Sequence, residues 1–192
     1  MTTTIASDES GFVREFTVEK LKASSCDEIM ELFSTLSAPP FSEMNGEYKA
    51  DLLDQGTVIK NAMSKFLLFN PFLFGHWLCK AFKTEGENHG HGYNSFRKFG
   101  KVIRKFRMKT EIVPSRYDGK DVFQLYYPAY SSITGIINMV DEIRKIHDGL
   151  YLGIGTWGFT KKQVMIPGPF CLSGPINEFV GSDREEVKGR GK

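Results

Sequence analysis

The ionisable residues that interrupt an apolar pattern are where this chain can do chemistry. Read with the two-residue period of a strand, one face of 102–112 carries Val102, Arg104, Phe106, Met108, Thr110 and Ile112. The other face carries Lys101, Ile103, Lys105, Arg107, Lys109 and Glu111 and suits water. A guanidinium facing a sheet interior is costly unless it meets an anion. Either a register slip or bulge lets Arg104 out, the first expectation, or it receives a ligand carboxylate or a buried acid, the functional alternative. Residues 139–146 give a related signal. Met139, Asp141 and Ile143 share one face and Val140, Glu142, Arg144 and Ile146 the other, so each face has an acid among hydrophobes. At least one of Asp141 and Glu142 is expected to be enclosed and paired. An enclosed carboxylate is how a proton-transfer enzyme obtains its acid or base. It is equally how a barrel balances an internal Arg104 or Arg144 with no chemistry at all.

Other constellations are weaker. His89-Gly90-His91 has the spacing to put two imidazoles on a metal, but no third ligand stands at a suitable distance and the glycines suggest a mobile loop. His91 and Tyr93 are better read as lining a cavity mouth, with Tyr126 and Tyr127 orienting a ligand or substrate. Gly153-Ile154-Gly155 lacks the third glycine and the helix of a dinucleotide site. No metal and no cofactor is expected. Cysteines 26, 79 and 171 are too few and too scattered for a disulfide scaffold or zinc cluster. Residues 97–109 carry seven bases and no acid, a pattern that serves anionic membranes or single strands, but also the solvated, lysine-protected edge of a sheet. The net charge of +2 supplies no global field, so no nucleic acid is expected.

The elements that must position these residues fit one domain over 13–181, between polar tails at 1–12 and 182–192. Of the 192 residues 41% are hydrophobic and 25% charged, which excludes fibrous and wholly disordered classes. Ser25-Cys26-Asp27-Glu28 is a capping box opening a helix over 25–37, and a second helical pattern covers 57–69. From Trp77 onward the chain reads as strands and turns. Asp118-Gly119 and Asp148-Gly149 each mark a hairpin, pairing 102–116 with 121–127 and 139–146 with 150–157. Strands are also expected over 46–53, 77–83, 93–99, 164–166 and 170–172. No strand-helix-strand alternation appears, so the expected fold is mainly β, a closed antiparallel meander barrel of eight to nine strands with N-terminal helices. Residues 66–74 hold seven large apolar side chains, and Asn70-Pro71 prevents them all from facing one way. Phe72, Phe74 and Trp77 are accordingly expected to close a ligand cavity, and the segment offers a transient membrane contact. The tails show no secretory signal and no stretch long enough to cross a membrane, which points to a soluble, cytoplasmic protein.

This order, a leading helix, Gly46-Glu47-Tyr48 opening the first strand, a helical insertion and a run of hairpins, resembles the lipocalin and fatty-acid-binding barrels over roughly residues 44–173. Tyr48 stands where lipocalins have tryptophan. The resemblance is one of arrangement. It implies an internal ligand cavity, a lid at 57–69, and a ligand carboxylate held by Arg104 and Tyr127. The rival arrangement is the α+β cone of nuclear-transport-factor type, whose enzymes isomerise, dehydrate or cyclise with a His/Asp pair. Two functions follow. The first is a binding module for a small, apolar, anionic molecule, with Phe106 and Met108 lining its cavity. The second is a cofactor-free isomerase, cyclase or hydratase acting on a hydrophobic small molecule, with Asp141 or Glu142 as acid/base and His91 assisting. The sequence leaves open whether any reaction occurs and what the oligomeric state is.

Overall fold

The computed structural model describes residues 16–183. The expected tail at 1–12 lies outside them, as does all but the start of the tail at 182–192. Eight strands follow one another round a closed barrel: β1 (Gly46–Leu52), β2 (His76–Thr84), β3 (Gly90–Lys98), β4 (Lys101–Pro114), β5 (Asp121–Tyr126), β6 (Val140–His147), β7 (Leu150–Thr156) and β8 (Gly168–Asn177). β8 returns to pair with β1, Leu52 opposite Phe170 and Glu47 opposite Asn177, so the sheet keeps no free edge. This closed meander is the lipocalin-like arrangement, and its closure excludes the open cone. Helices α1 (Val18–Ala23), α2 (Cys26–Thr35), α3 (Val58–Phe69) and α4 (Ile133–Ile136) lie outside the wall or across an end.

Both Asp-Gly hairpins form, β4 with β5 and β6 with β7, each antiparallel. Gly119 and Gly149 take φ of 74° and 81°, the left-handed region such turns require. Three expectations change. Gln163–Met165 is a turn of 3-10 helix rather than a strand, and the last strand is longer than expected. His91 sits inside β3 rather than on a mobile loop. A β-carbon at Gly90 or Gly92 would run into the carbonyl oxygens of Lys83 or Ala81, so these glycines mark close strand contact rather than looseness.

A bulge in β4 decides which residues see the interior. Gly92 opposes Met108 but Asn94 opposes Lys105, so Phe106 and Arg107 together face Tyr93, and Phe106 takes φ 59°. Beyond the bulge Phe106 and Met108 point inward, into the interior cluster. Before it the alternation is reversed. Ser95 opposes Arg104 on the outer wall, so the bulge lets the arginine out, and the reading of it as an internal anion clamp does not hold.

β6 is buried on both faces, which explains its acid-bearing pattern. Asp141 opposes Leu125, an interior residue, and faces inward. Glu142 opposes Ile154 and Arg144 opposes Leu152, both members of an outer cluster that α1 and α2 cover with Leu21, Ile29, Leu32 and Phe33. α2 opens with the expected capping box, Ser25 and Glu28 each bonding the other's backbone N–H.

The barrel's two ends differ. One is plugged by the chain leading into β1, whose Phe41 and Met44 join the interior cluster. The other, here called the mouth, is crossed by α3, the turn after it, α4 and the 157–167 loop. Leu68, Phe69, Phe74 and Met139 pack there, partly buried, on the interior.

Candidate functional site

The interior is mostly apolar and rich in aromatic rings, and a buried ion pair interrupts it near the mouth. Lys80, in β2, points inward on the rung that pairs Tyr48, Lys80, Asn94 and Lys105 across four strands. It is 2% exposed. Its Nζ donates to Tyr127 Oη at 2.7 Å, Asp141 Oδ2 at 2.8 Å and Asn94 Oδ1 at 3.0 Å. Three donors meet three acceptors, as an enclosed ammonium needs. The rings of Phe170, Trp77 and Tyr127 stand 5.0, 5.2 and 5.4 Å from the same nitrogen. Tyr127 donates to Asp141 Oδ2 at 3.1 Å and accepts from Asn94 Nδ2 at 3.0 Å, while Trp77 Nε1 reaches Asn94 Oδ1 at 3.2 Å. The local fold makes this possible. Tyr127 opens a 3-10 turn at the end of β5 that carries its ring back over the interior, and Gly153 leaves room for the Phe170 ring.

One atom of the cluster is unsatisfied. Asp141 Oδ1 is buried and has no hydrogen-bond partner among the described residues. A β-carbon at Gly155 would lie 3.0 Å from it, so the glycine keeps that flank of the carboxylate uncrowded. Burial pushes the Lys80 ammonium below its ordinary range, although Asp141 opposes the shift. Burial, reinforced by the Asp141 charge, holds the Tyr127 phenol well above its usual value. The site is thus one positive and one negative group, enclosed together, with a carboxylate oxygen to spare.

The structure brings Asp141, Tyr127, Trp77, Phe106 and Met108 into or onto this interior, with Phe74 at its mouth, 5.1 Å ring to ring from Phe106. The other candidates stand elsewhere. Glu142 faces outward and accepts from Ser115 Oγ and from Arg116 through its backbone N–H (3.0 Å) and Nε (3.1 Å). Arg144 clamps Asp118 with two bonds of 2.7 and 2.8 Å, donates to the Phe33 carbonyl and stacks on the Phe33 ring. That contact fastens α2 to the β4–β5 hairpin. Arg104 and Tyr93 both bond Glu47 Oε1 on the outer wall, at 3.3 and 2.8 Å. His91 meets Glu85 at 3.1 Å, and Tyr126 lies on the outside beside Val140. Phe72 is 80% exposed, so only Phe74 of the expected pair covers the interior. A groove of about 560 Å³ also runs along the outer wall beside α3, lined by Glu47, Lys65, His76, Arg97 and Arg104 among others. Its lining mixes both signs of charge.

Sequence reasoning missed Lys80 and Asn94. The signal for Lys80 was there: it is a lone base inside Trp-Leu-Cys-Lys-Ala-Phe, the same kind of interruption as Arg104.

No group of three or more metal-ligating side chains occurs among the described residues, and none of their helices is long and apolar enough to cross a membrane. No family model matches the chain, and neither does any curated protein. A solved crystal structure of a protein from Thermomonospora curvata is similar, with a TM-score of 0.52 and 15% identity over 81% of this chain and 94% of that one. At that identity the likeness is one of fold alone.

Proposed function

We propose that the barrel binds a small, largely apolar molecule through the mouth and seats its polar end against the Lys80–Asn94–Tyr127–Asp141 cluster. The observation that carries this reading is the unpartnered Asp141 Oδ1 inside an aromatic enclosure. A buried acceptor of this kind costs free energy until a donor meets it. The polar end that fits is therefore a neutral hydrogen-bond donor, a hydroxyl above all. An anion suits the cluster less well. Arg104 is outside, and the charge of Lys80 is already balanced by Asp141. Titrating the protein with a dansyl-labelled aliphatic alcohol and with the matching fatty acid tests this. The alcohol should bind at least about tenfold more tightly, a difference of about 1.4 kcal/mol, and Asp141→Ala should erase the preference. Equal binding of both, or binding unaffected by Asp141→Ala, would overturn the reading.

The same free oxygen favours a second reading, an isomerase in which Asp141 abstracts a proton next to the carbonyl of a substrate held against the cluster. Asp141→Asn should then retain ligand but lose exchange of the ligand's C–H protons into heavy water.

A further inference from the structure

The mouth of the barrel differs from the rest of its surface in two independent ways. The first is apolar exposure. Of the eighteen large apolar side chains exposed on the described residues, sixteen lie on the mouth segments 53–75, 99–100, 127–139 and 157–167 or on the strand ends beside them. The two others, Ile176 and Val180, belong to the end of β8 and the chain after it. α3 shows the effect most clearly. Ile59, Met63 and Phe66 are spaced i, i+4, i+7, the stripe a helix normally buries, yet Ile59 is 79% and Phe66 60% exposed, and the helix has no buried residue. Phe72, Trp157 and Phe159 continue the patch on two other loops.

The second is charge. The four mouth segments hold Lys60, Lys65, Lys161 and Lys162, flanked by Lys98 and Lys101, against a single acid, Asp54. Asp54 is already engaged with Asn61 and the backbone of Cys26. The opposite end reverses the balance. Segments 36–45, 85–89, 115–120 and 148–149 hold Glu43, Glu85, Glu87, Asp118 and Asp148 against Arg116 and Lys120, and none of the exposed large apolar side chains. Among the described residues the loops at the two ends thus differ in the sign of their charge, although Glu43, Glu85, Asp118 and Asp148 have Lys145, His91 and Arg144 beside them.

We propose that the mouth docks on an anionic lipid bilayer, α3 and the loops around it pressing their apolar side chains into the interface while the lysines meet lipid headgroups. A second copy of the chain fits the surface less well. Two mouths would bring like charges together, and the acidic end offers a mouth little apolar counterpart beyond Ile176. Docking does not depend on what the interior binds, but it would place the opening of the barrel where apolar molecules are concentrated.

Vesicles of phosphatidylcholine, with and without phosphatidylserine, provide the test. The protein should co-sediment with the anionic vesicles, less so as salt rises, and the emission of Trp157 should shift to the blue while buried Trp77 is unaffected. Phe66→Asp with Phe72→Asp alters exposed positions and should lower partitioning at least about tenfold. Lys161→Glu with Lys162→Glu should remove the preference for phosphatidylserine with the apolar patch intact. Absence of binding to both vesicles, or binding indifferent to both double variants, would overturn the proposal. So would a dimer in light scattering that Phe66→Asp with Phe72→Asp splits into monomers, which would make a second copy the occupant.

Discussion

Asp141→Asn is the substitution whose consequences can be worked out furthest. It keeps the size of the side chain and an acceptor for Tyr127 while removing the anion that faces Lys80 at 2.8 Å. An ammonium is then left among the rings of Trp77, Tyr127 and Phe170. Breaking a buried pair in this way typically costs about 3–5 kcal/mol. Lysine also has an escape. It can lose its proton, which for a group of free pKa about 10.4 costs about 4.6 kcal/mol at pH 7, and that sets a ceiling on the loss. Burial already holds Lys80 below its ordinary value with Asp141 resisting, so removing Asp141 deepens the shift. The sign of the pH dependence follows. The folded variant holds one proton fewer than its unfolded chain, so its stability must rise with pH by about 1.4 kcal/mol per unit until the unfolded lysine titrates near pH 10. Urea unfolding of wild type and variant across roughly pH 7–9 measures this. The gap between them should narrow as pH rises. A constant gap, or a loss under about 1 kcal/mol at pH 7, would mean that Lys80 does not depend on Asp141 and would refute the electrostatic account of the cluster. Lys80→Met with Asp141→Asn should recover most of the loss, because no charge then remains in the enclosure.

Other outcomes follow from the same geometry. Gly153→Ala drives a methyl into the Phe170 ring and should cost roughly 1–3 kcal/mol in thermal unfolding. Burial holds the phenols of Tyr48 and Tyr93 at about 12 and raises those of Tyr117, Tyr127 and Tyr151 as well. Their folded values exceed the unfolded one, so the stability they contribute is complete below about pH 10 and is lost as pH rises through the folded values. Tyrosinate absorbance should appear together with unfolding rather than before it. Glu142→Gln weakens the hold on Arg116 and Ser115 outside the wall, and should lower stability by roughly 2–4 kcal/mol while leaving affinity for the alcohol probe unchanged.

Much of the architecture was legible because it rests on local signals. The Asp-Gly pairs fix two hairpins by turn chemistry alone, and the Ser25–Glu28 box fixes the start of α2. The mixed faces of 139–146 announced a strand enclosed on both sides, and both acids are indeed paired there. What could not be read was register. The bulge at Phe106 carries Arg104 from one face to the other, and nothing in the alternation of 102–112 marks where the extra residue falls. The partner of Asp141 comes from β2, sixty-one positions away in sequence, and pattern analysis within one strand cannot see it. Nor does helical periodicity say which side of α3 faces the protein. The resemblance to fatty-acid-binding barrels implies a lid at 57–69, whereas Ile59 and Phe66 point away from the interior and only Leu68 and Phe69 pack inward.

The pairing of β8 with β1 bears on how the chain reaches this shape. The hairpins from β2 to β7 join neighbours in sequence and can form as each second strand appears. The last seam differs. Leu52 must wait for Phe170 and Glu47 for Asn177, so β1 keeps one flank unpaired until almost all the described chain exists. The outer cluster waits as well, since α1 and α2 come first but rest on β5 to β8. Contacts this distant slow a fold and expose its unfinished edge on the way. On a ribosome, β1 and the two helices before it would be made ahead of the strands they rest on and would settle only after those strands appear. A circular permutant that joins β8 to β1 and opens the chain within the β4–β5 turn should fold faster than the natural order of strands.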